Sequence, residues 1–142
     1  MVVTSPGGYP KDINLYQAQK ALENVKDIVI DGGTIVLVAA YTEGFGEDTF
    51  EEWVQDAKYY EKLYKRIKKK FVLGGHKAVA ASKLLIKAKV FAYSNFNCND
   101  TSDMGFEKVD NIQDFVNERI RKDKKIKIAV VPNGRFVKYS NN

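Results

Sequence analysis

The sequence predicts an α/β fold: a three-layer αβα sandwich around a mostly parallel, Rossmann-like sheet. Three observations predict it. Thr34-Ile35-Val36-Leu37-Val38-Ala39-Ala40 is β-branched and apolar throughout, the signature of a central strand covered on both faces. Other apolar runs, at Val2–Thr4, Val90–Tyr93 and Ile126–Val131, alternate with amphipathic stripes, as strands alternate with helices in parallel sheets. No linker, internal repeat or low-complexity tract divides the 142 residues, so residues 1–142 read as one domain, a length that suits a single core.

Each element follows from its local chemistry. Val2-Val3-Thr4 reads as a short buried strand. Ser5-Pro6-Gly7-Gly8-Tyr9-Pro10 ends it, because the prolines lack N–H donors and the glycines permit unusual dihedrals. Leu15, Ala18, Leu22 and Val25 recur at three- and four-residue intervals and predict a helix reaching Asp27. Asn14, with Gln17 three residues on, resembles a capping box, and Asp12 is a rival cap. Asp31-Gly32-Gly33 turns the chain into the Thr34–Ala40 strand, and Tyr41 to Glu47 is a loop holding Gly44-Phe45-Gly46.

Phe50, Trp53, Val54 and Ala57 make a second stripe, and Tyr60, Tyr64, Ile67 and Phe71 a third, with their aromatic rings expected in the core. Acidic residues crowd the start of this stretch and lysines its end, complementing a helix dipole. Gly74-Gly75 breaks the chain before a helix over Ala78 to Lys87. Val90–Tyr93 is a strand, Asn95 to Gly105 is polar without a clear period, and Ile112, Phe115, Val116 and Ile120 mark another helix. Ile126–Val131 reads as a strand, Pro132-Asn133-Gly134 as a turn, and Phe136-Val137 as a short final strand. The expected order is β-α-β-α-α-α-β-α-β-β.

Charge and composition narrow the function. Lys plus Arg number 23 against 18 Asp plus Glu, a net charge of +5, which permits anionic partners and selects none. A single cysteine excludes an internal disulfide framework and suits a reducing compartment. One histidine and one cysteine exclude most metal sites built from this chain alone, so no metal ligand is expected in it. The longest apolar run is far short of the roughly 20 residues that span a bilayer. Met1-Val2-Val3-Thr4-Ser5 has no basic flank before an apolar stretch. The expected location is the cytoplasm, with no membrane partner.

The first helix is the most informative piece. Leu15, Ala18, Leu22 and Val25 share an arc of roughly 80°, and Tyr16, Gln17 and Lys20 lie opposite. Tyr16 and Lys20, four residues apart, stack on one side. A phenol, a carboxamide and an ammonium together suit a small carboxylate or hydroxy acid, with lysine supplying charge and the other two directional hydrogen bonds. The alternative is a solvated helix face. Gly44-Phe45-Gly46 follows a strand, where ligands sit in open parallel sheets, or is a turn that needs glycine. His76 and Lys77 precede a helix and are candidates for binding an anion, or are simply structural. The lysine run from Lys62 to Lys70 reads as a wet helix face, which makes nucleic acid an unlikely partner.

A resemblance sharpens these readings. Ser5-Pro6-Gly7-Gly8-Tyr9-Pro10-Lys11-Asp12-Ile13-Asn14-Leu15-Tyr16-Gln17-Ala18-Gln19-Lys20-Ala21 resembles the opening of the C-terminal domain of the nickel-pincer (nickel-dependent) lactate racemase family. Asp31-Gly32-Gly33-Thr34-Ile35-Val36, Glu43-Gly44-Phe45-Gly46, Gly74-Gly75-His76-Lys77-Ala78 and Val131-Pro132-Asn133-Gly134 are similar to further family segments, in order. Asn133 stands where the family usually has an aspartate.

The resemblance implies a division of labour. In the family an N-terminal domain carries the nickel pincer mononucleotide, joined to a lysine, together with paired histidines that act as acid and base. The C-terminal domain closes over that site and turns a tyrosine, a glutamine and a lysine toward the substrate. By motif these match Tyr16, Gln17 and Lys20, with Gly44, Phe45, Gly46, His76 and Lys77 as possible site loops. The chemistry agrees with the division. Inverting a 2-hydroxy acid carbon needs proton acceptors and donors on both faces, or a hydride acceptor plus a base, and one histidine cannot be two bases. The expectation is therefore a substrate-side domain of a 2-hydroxy acid racemase or epimerase, an isomerase, with no catalytic residue and no cofactor of its own. Its expected partners are a cofactor-carrying N-terminal domain or subunit and a small 2-hydroxy acid. A non-catalytic small-anion-binding module and a nucleic-acid-associated basic protein are the competing readings.

Overall fold

A computed structural model describes residues 1–137 of the chain. Its centre is a five-stranded sheet in the order β4-β3-β2-β1-β5, with every described pairing parallel. The strands are β1 (Val2–Thr4), β2 (Gly33–Val38), β3 (Ala88–Tyr93), β4 (Glu107–Lys108) and β5 (Ala129–Val131). The helices are α1 (Leu15–Val25), α2 (Asp48–Val54), α3 (Tyr60–Lys69), α4 (Gly75–Lys87), α5 (Cys98–Asp103) and α6 (Ile112–Lys122).

The apolar run that predicts a central strand is β2, third of the five. Its side chains alternate between two cores because successive residues of a strand point to opposite faces. Ile35 and Leu37 join the larger core with Leu15, Leu22, Phe50, Trp53 and Val90. Val36 joins a smaller one with Phe91, Val109 and the half-buried Ile112 and Phe115 of α6. That is the three-layer sandwich: α1 and α4 on one face, α6 on the other, and α2 and α3 packed against α4. Trp53 and Phe50 are the largest fully buried side chains, and burying an aromatic of this kind contributes about 1.5–3 kcal/mol.

Several boundaries differ from the sequence expectation, each for a local reason. β5 covers only Ala129–Val131, not Ile126–Val131, because its sole described partner β1 has three residues to pair with it: Val2↔Ala129, Val3↔Val130 and Thr4↔Val131. The polar segment Asn95 to Gly105 contains α5, capped by the Asn97 side chain, which accepts from the Asp100 N–H at 2.9 Å. That helix buries only Thr101, so it leaves no apolar stripe. It leads into β4, also unforeseen. The expected strand at Phe136-Val137 is instead a 3-10 turn over Gly134–Phe136, which carries Phe136 outward to 66% exposure.

The third stripe is also corrected. Leu63 is the buried residue of α3, whereas Tyr64 and Phe71 are 38% and 68% exposed. Tyr60 and Tyr64 stack on each other at 5.5 Å, away from the core. The basic residues of this helix partly serve to tie it to α2. Arg66 lies over the Trp53 ring and donates to Glu52 at 2.8 Å, and Lys62 bonds Asp56.

Candidate functional site

The site is built on the first turn of α1, at the carboxyl end of the strands. Asn14, in extended conformation, accepts from the Gln17 N–H through its Oδ1 at 3.0 Å. The Leu15 and Tyr16 N–H groups donate to the Gly44 and Phe45 carbonyls, each at 3.0 Å. Three amides that an isolated helix would leave open are thereby satisfied. Gly46 lies so close to the Asn14 carboxamide, at a φ of +93°, that a Cβ would collide with it. Gly44-Phe45-Gly46 thus contributes its backbone, holding α1 in place, while the Phe45 ring packs against Phe96 at 4.8 Å. Next to it Tyr41 adopts a φ of +54°, with its ring buried and its hydroxyl enclosed without a partner. Burial, and then the neighbouring Asp12 carboxylate, push the Tyr41 phenol upward and keep it neutral.

Tyr16, Gln17 and Lys20 leave this turn in three different situations. Tyr16 is half-buried, edge-on to Phe50 at 5.5 Å. The Lys77 ammonium sits 3.5 Å from the centre of its ring. Tyr16 and Gln17 are half-buried because α4 and the 3-10 turn flank α1 on its two sides. Gln17 accepts through Oε1 from Arg135 Nη1 at 3.1 Å. Lys20 remains exposed and pairs with Glu23 at 2.8 Å.

Lys77 is drawn in from the first turn of α4. Its neighbour Gly75 lies against the Trp53 ring, closer than any Cβ would allow. Burial lowers the Lys77 pKa first. Glu23 and Glu47 oppose that shift, and Arg135 and Lys20 add to it. His76 points elsewhere. It stacks on Phe71 at 5.6 Å with an enclosed, unpartnered Nδ1, and no described contact joins it to Tyr16, Gln17 or Lys20.

The structure therefore gathers Lys20, Lys77 and Arg135 around Tyr16 and Gln17, with Glu23 as counter-charge. Beside them an open cleft of about 510 Å³ is lined by Lys11, Asn14, Gln17, Glu43, Arg135 and Phe136. Ammonium, guanidinium and carboxamide donors of this kind suit an oxyanion. Arg135 and Glu23 are the members that sequence reasoning missed. The available signal was Asn24, seven residues after Gln17 on the same side of α1, whose Nδ2 donates to the Gly134 and Arg135 carbonyls at 2.9 and 2.7 Å. Among the described residues no three His, Cys, Asp or Glu side chains come together to hold a metal ion. No described helix is long and apolar enough to cross a membrane.

The family model for the lactate racemase C-terminal domain matches residues 1–138. The chain belongs to that family. Two curated relatives match part of it. The lactate racemase of Thermoanaerobacterium thermosaccharolyticum is 38% identical over 58 residues, 41% of this chain and 14% of the relative. That of Lactiplantibacillus plantarum is 38% identical over 50 residues, 35% and 12% of the two chains. The solved apoprotein of the former superposes with a TM-score of 0.85 at 25% identity, over 99% of this chain. The chain spans 35% of the length of that apoprotein.

Proposed function

We propose that this chain is the substrate-side domain of a nickel-pincer 2-hydroxy acid racemase or epimerase, acting on a lactate-type substrate. Residues 1–142 work as one unit and close over a site whose nickel pincer mononucleotide belongs to an N-terminal domain or subunit. The observation that carries the reading is the convergence of Tyr16, Gln17, Lys20 and Lys77 on the carboxyl edge of the sheet, in a chain of the lactate racemase C-terminal domain family. Lys20 supplies the charge that pairs with the substrate carboxylate. Gln17 and Tyr16 orient it by hydrogen bonds. The Gly44-Phe45-Gly46 loop fixes their backbone, so that binding loses little freedom at these side chains. Lys77 forms the wall on the α4 side. A cytoplasmic location goes with the same reading, supported by the exposed free Cys98.

The test is to assemble the chain with a cofactor-loaded N-terminal racemase part and follow D- and L-2-hydroxy acids by chiral chromatography. Interconversion that depends on this chain is expected. An assembled protein that racemises no 2-hydroxy acid overturns the proposal.

A further inference from the structure

A carboxamide has two ends of opposite chemistry: its oxygen only accepts, and its amino group only donates. Which end of Gln17 is free decides what that residue can read. The decision is made by a residue 118 positions away. Arg135 donates from Nη1 to Gln17 Oε1 at 3.1 Å. A guanidinium has donors and no acceptor, so it can hold only the oxygen end. The Gln17 amino group is left for the cleft that both side chains line.

Arg135 is itself held by its backbone. The Gly134 N–H donates to the Ser5 carbonyl at 2.8 Å, and Asn24 grips the Gly134 and Arg135 carbonyls from α1. Gly134 is buried so tightly that a Cβ would run into the Thr4 hydroxyl and the Ala21 methyl. The location matters as well. From β1 the chain builds β2, β3 and β4 outward on one side, while β5 lies on the other. The segments leaving the adjacent strands β1 and β5 meet at the carboxyl end of the sheet, where open α/β sheets bind their ligands. Arg135 follows β5, and Lys11 and Gln17 follow β1.

We infer that Arg135 is a positioning residue of the substrate site, holding Gln17 by its oxygen so that the carboxamide turns its amino group toward the substrate. This rests on the reading that Gln17 faces the substrate. Gln17 then donates to a substrate oxygen, such as a carboxylate or carbonyl oxygen.

The experiment uses the ¹⁵N-labelled chain and sodium lactate. In the wild type the Gln17 side-chain amide is expected to relax as an ordered group. In Arg135→Ala it becomes averaged, while the backbone spectrum and Tm hold. Gln17→Glu keeps the contact as a charge-assisted bond, so its Tm does not fall, yet it binds lactate at least about tenfold more weakly because a donor has become an anion. Unchanged Gln17 relaxation in Arg135→Ala overturns the inference. So does undiminished lactate binding by Gln17→Glu, which decides the question even if Arg135→Ala does not fold. Lactate that moves no resonance of the wild type counts against the substrate reading. The relaxation data still decide the Arg135–Gln17 relationship.

Discussion

The Lys77 ammonium lies 3.5 Å from the centre of the Tyr16 ring and donates to the Tyr16 carbonyl at 2.9 Å, across 61 positions of sequence. One side chain therefore fixes both the ring and the backbone of a residue in the candidate site. The contact also joins the starts of α1 and α4, the two helices on the larger face of the sheet. A cation over an aromatic ring contributes about 0.5–1 kcal/mol when exposed and about 2 when desolvated. Phe50 meets Tyr16 edge-on at 5.5 Å, so that the ring is held by two neighbours.

The same burial makes Lys77 a source of pH dependence. Its pKa is lowered from the ordinary 10.5, chiefly by desolvation. A lysine with a depressed folded pKa binds protons more readily in the unfolded chain. Its contribution to stability therefore rises with pH through the window between the two values. The Tm of the wild type relative to Lys77→Met is expected to climb as the pH rises toward that ordinary value. Thermal melts at several pH values check this, and a constant difference would contradict it.

Lys20→Ala is expected to leave folding nearly intact, because the side chain is half exposed and its partner Glu23 is a surface ion pair. Substitutions at such positions shift stability by about 0.5 kcal/mol or less. In an assembled racemase the same change removes a charge-assisted bond of about 1.5–3 kcal/mol. That is roughly a 10- to 150-fold loss in kcat/KM. A large drop in Tm would make Lys20 structural, and retained activity would make its face merely solvated.

Gly46→Ala should damage the site through the backbone. The residue has a φ of +93° and no room for a methyl group beside Asn14. A strained backbone position costs about 1–3 kcal/mol, and the Asn14 cap adds about 1 kcal/mol if displaced. Chemical denaturation should show the loss, and Gly44→Ala, with open space around its Cβ position, should lose only the strain part.

The isolated chain is expected not to racemise lactate, with or without added nickel. Its one histidine is stacked on Phe71, away from Tyr16, and two-sided proton exchange needs more than one base. Chiral chromatography after long incubation is the measurement. Turnover by the purified chain would put the active site elsewhere.

Elements with strong apolar periods were legible from the sequence. Thr34–Ala40 could hardly be other than a central strand, and Leu15, Ala18, Leu22 and Val25 gave α1 its face. α5 was not legible, since a short helix that buries one threonine carries no period. Ile126 to Ile128 looked like strand, but an edge strand extends only as far as its neighbour, and β1 is short. Phe136 has the local propensity of a strand, which does not register Gly134 pinned against Thr4. At the site, Tyr16, Gln17 and Lys20 were visible as a group on one helix. Arg135 was not, because its link to Gln17 exists only once β5 lies beside β1.

The glycine loop after β2 gives α1 a mounting that is independent of what the helix displays. The Gly44 and Phe45 carbonyls and the Asn14 cap set the path of the main chain at Tyr16 and Gln17. None of those bonds involves the side chains of Tyr16, Gln17 or Lys20. Substitutions at positions 16, 17 and 20 therefore leave the bonds of the mounting in place, so that what the helix displays can change while the scaffold stays the same.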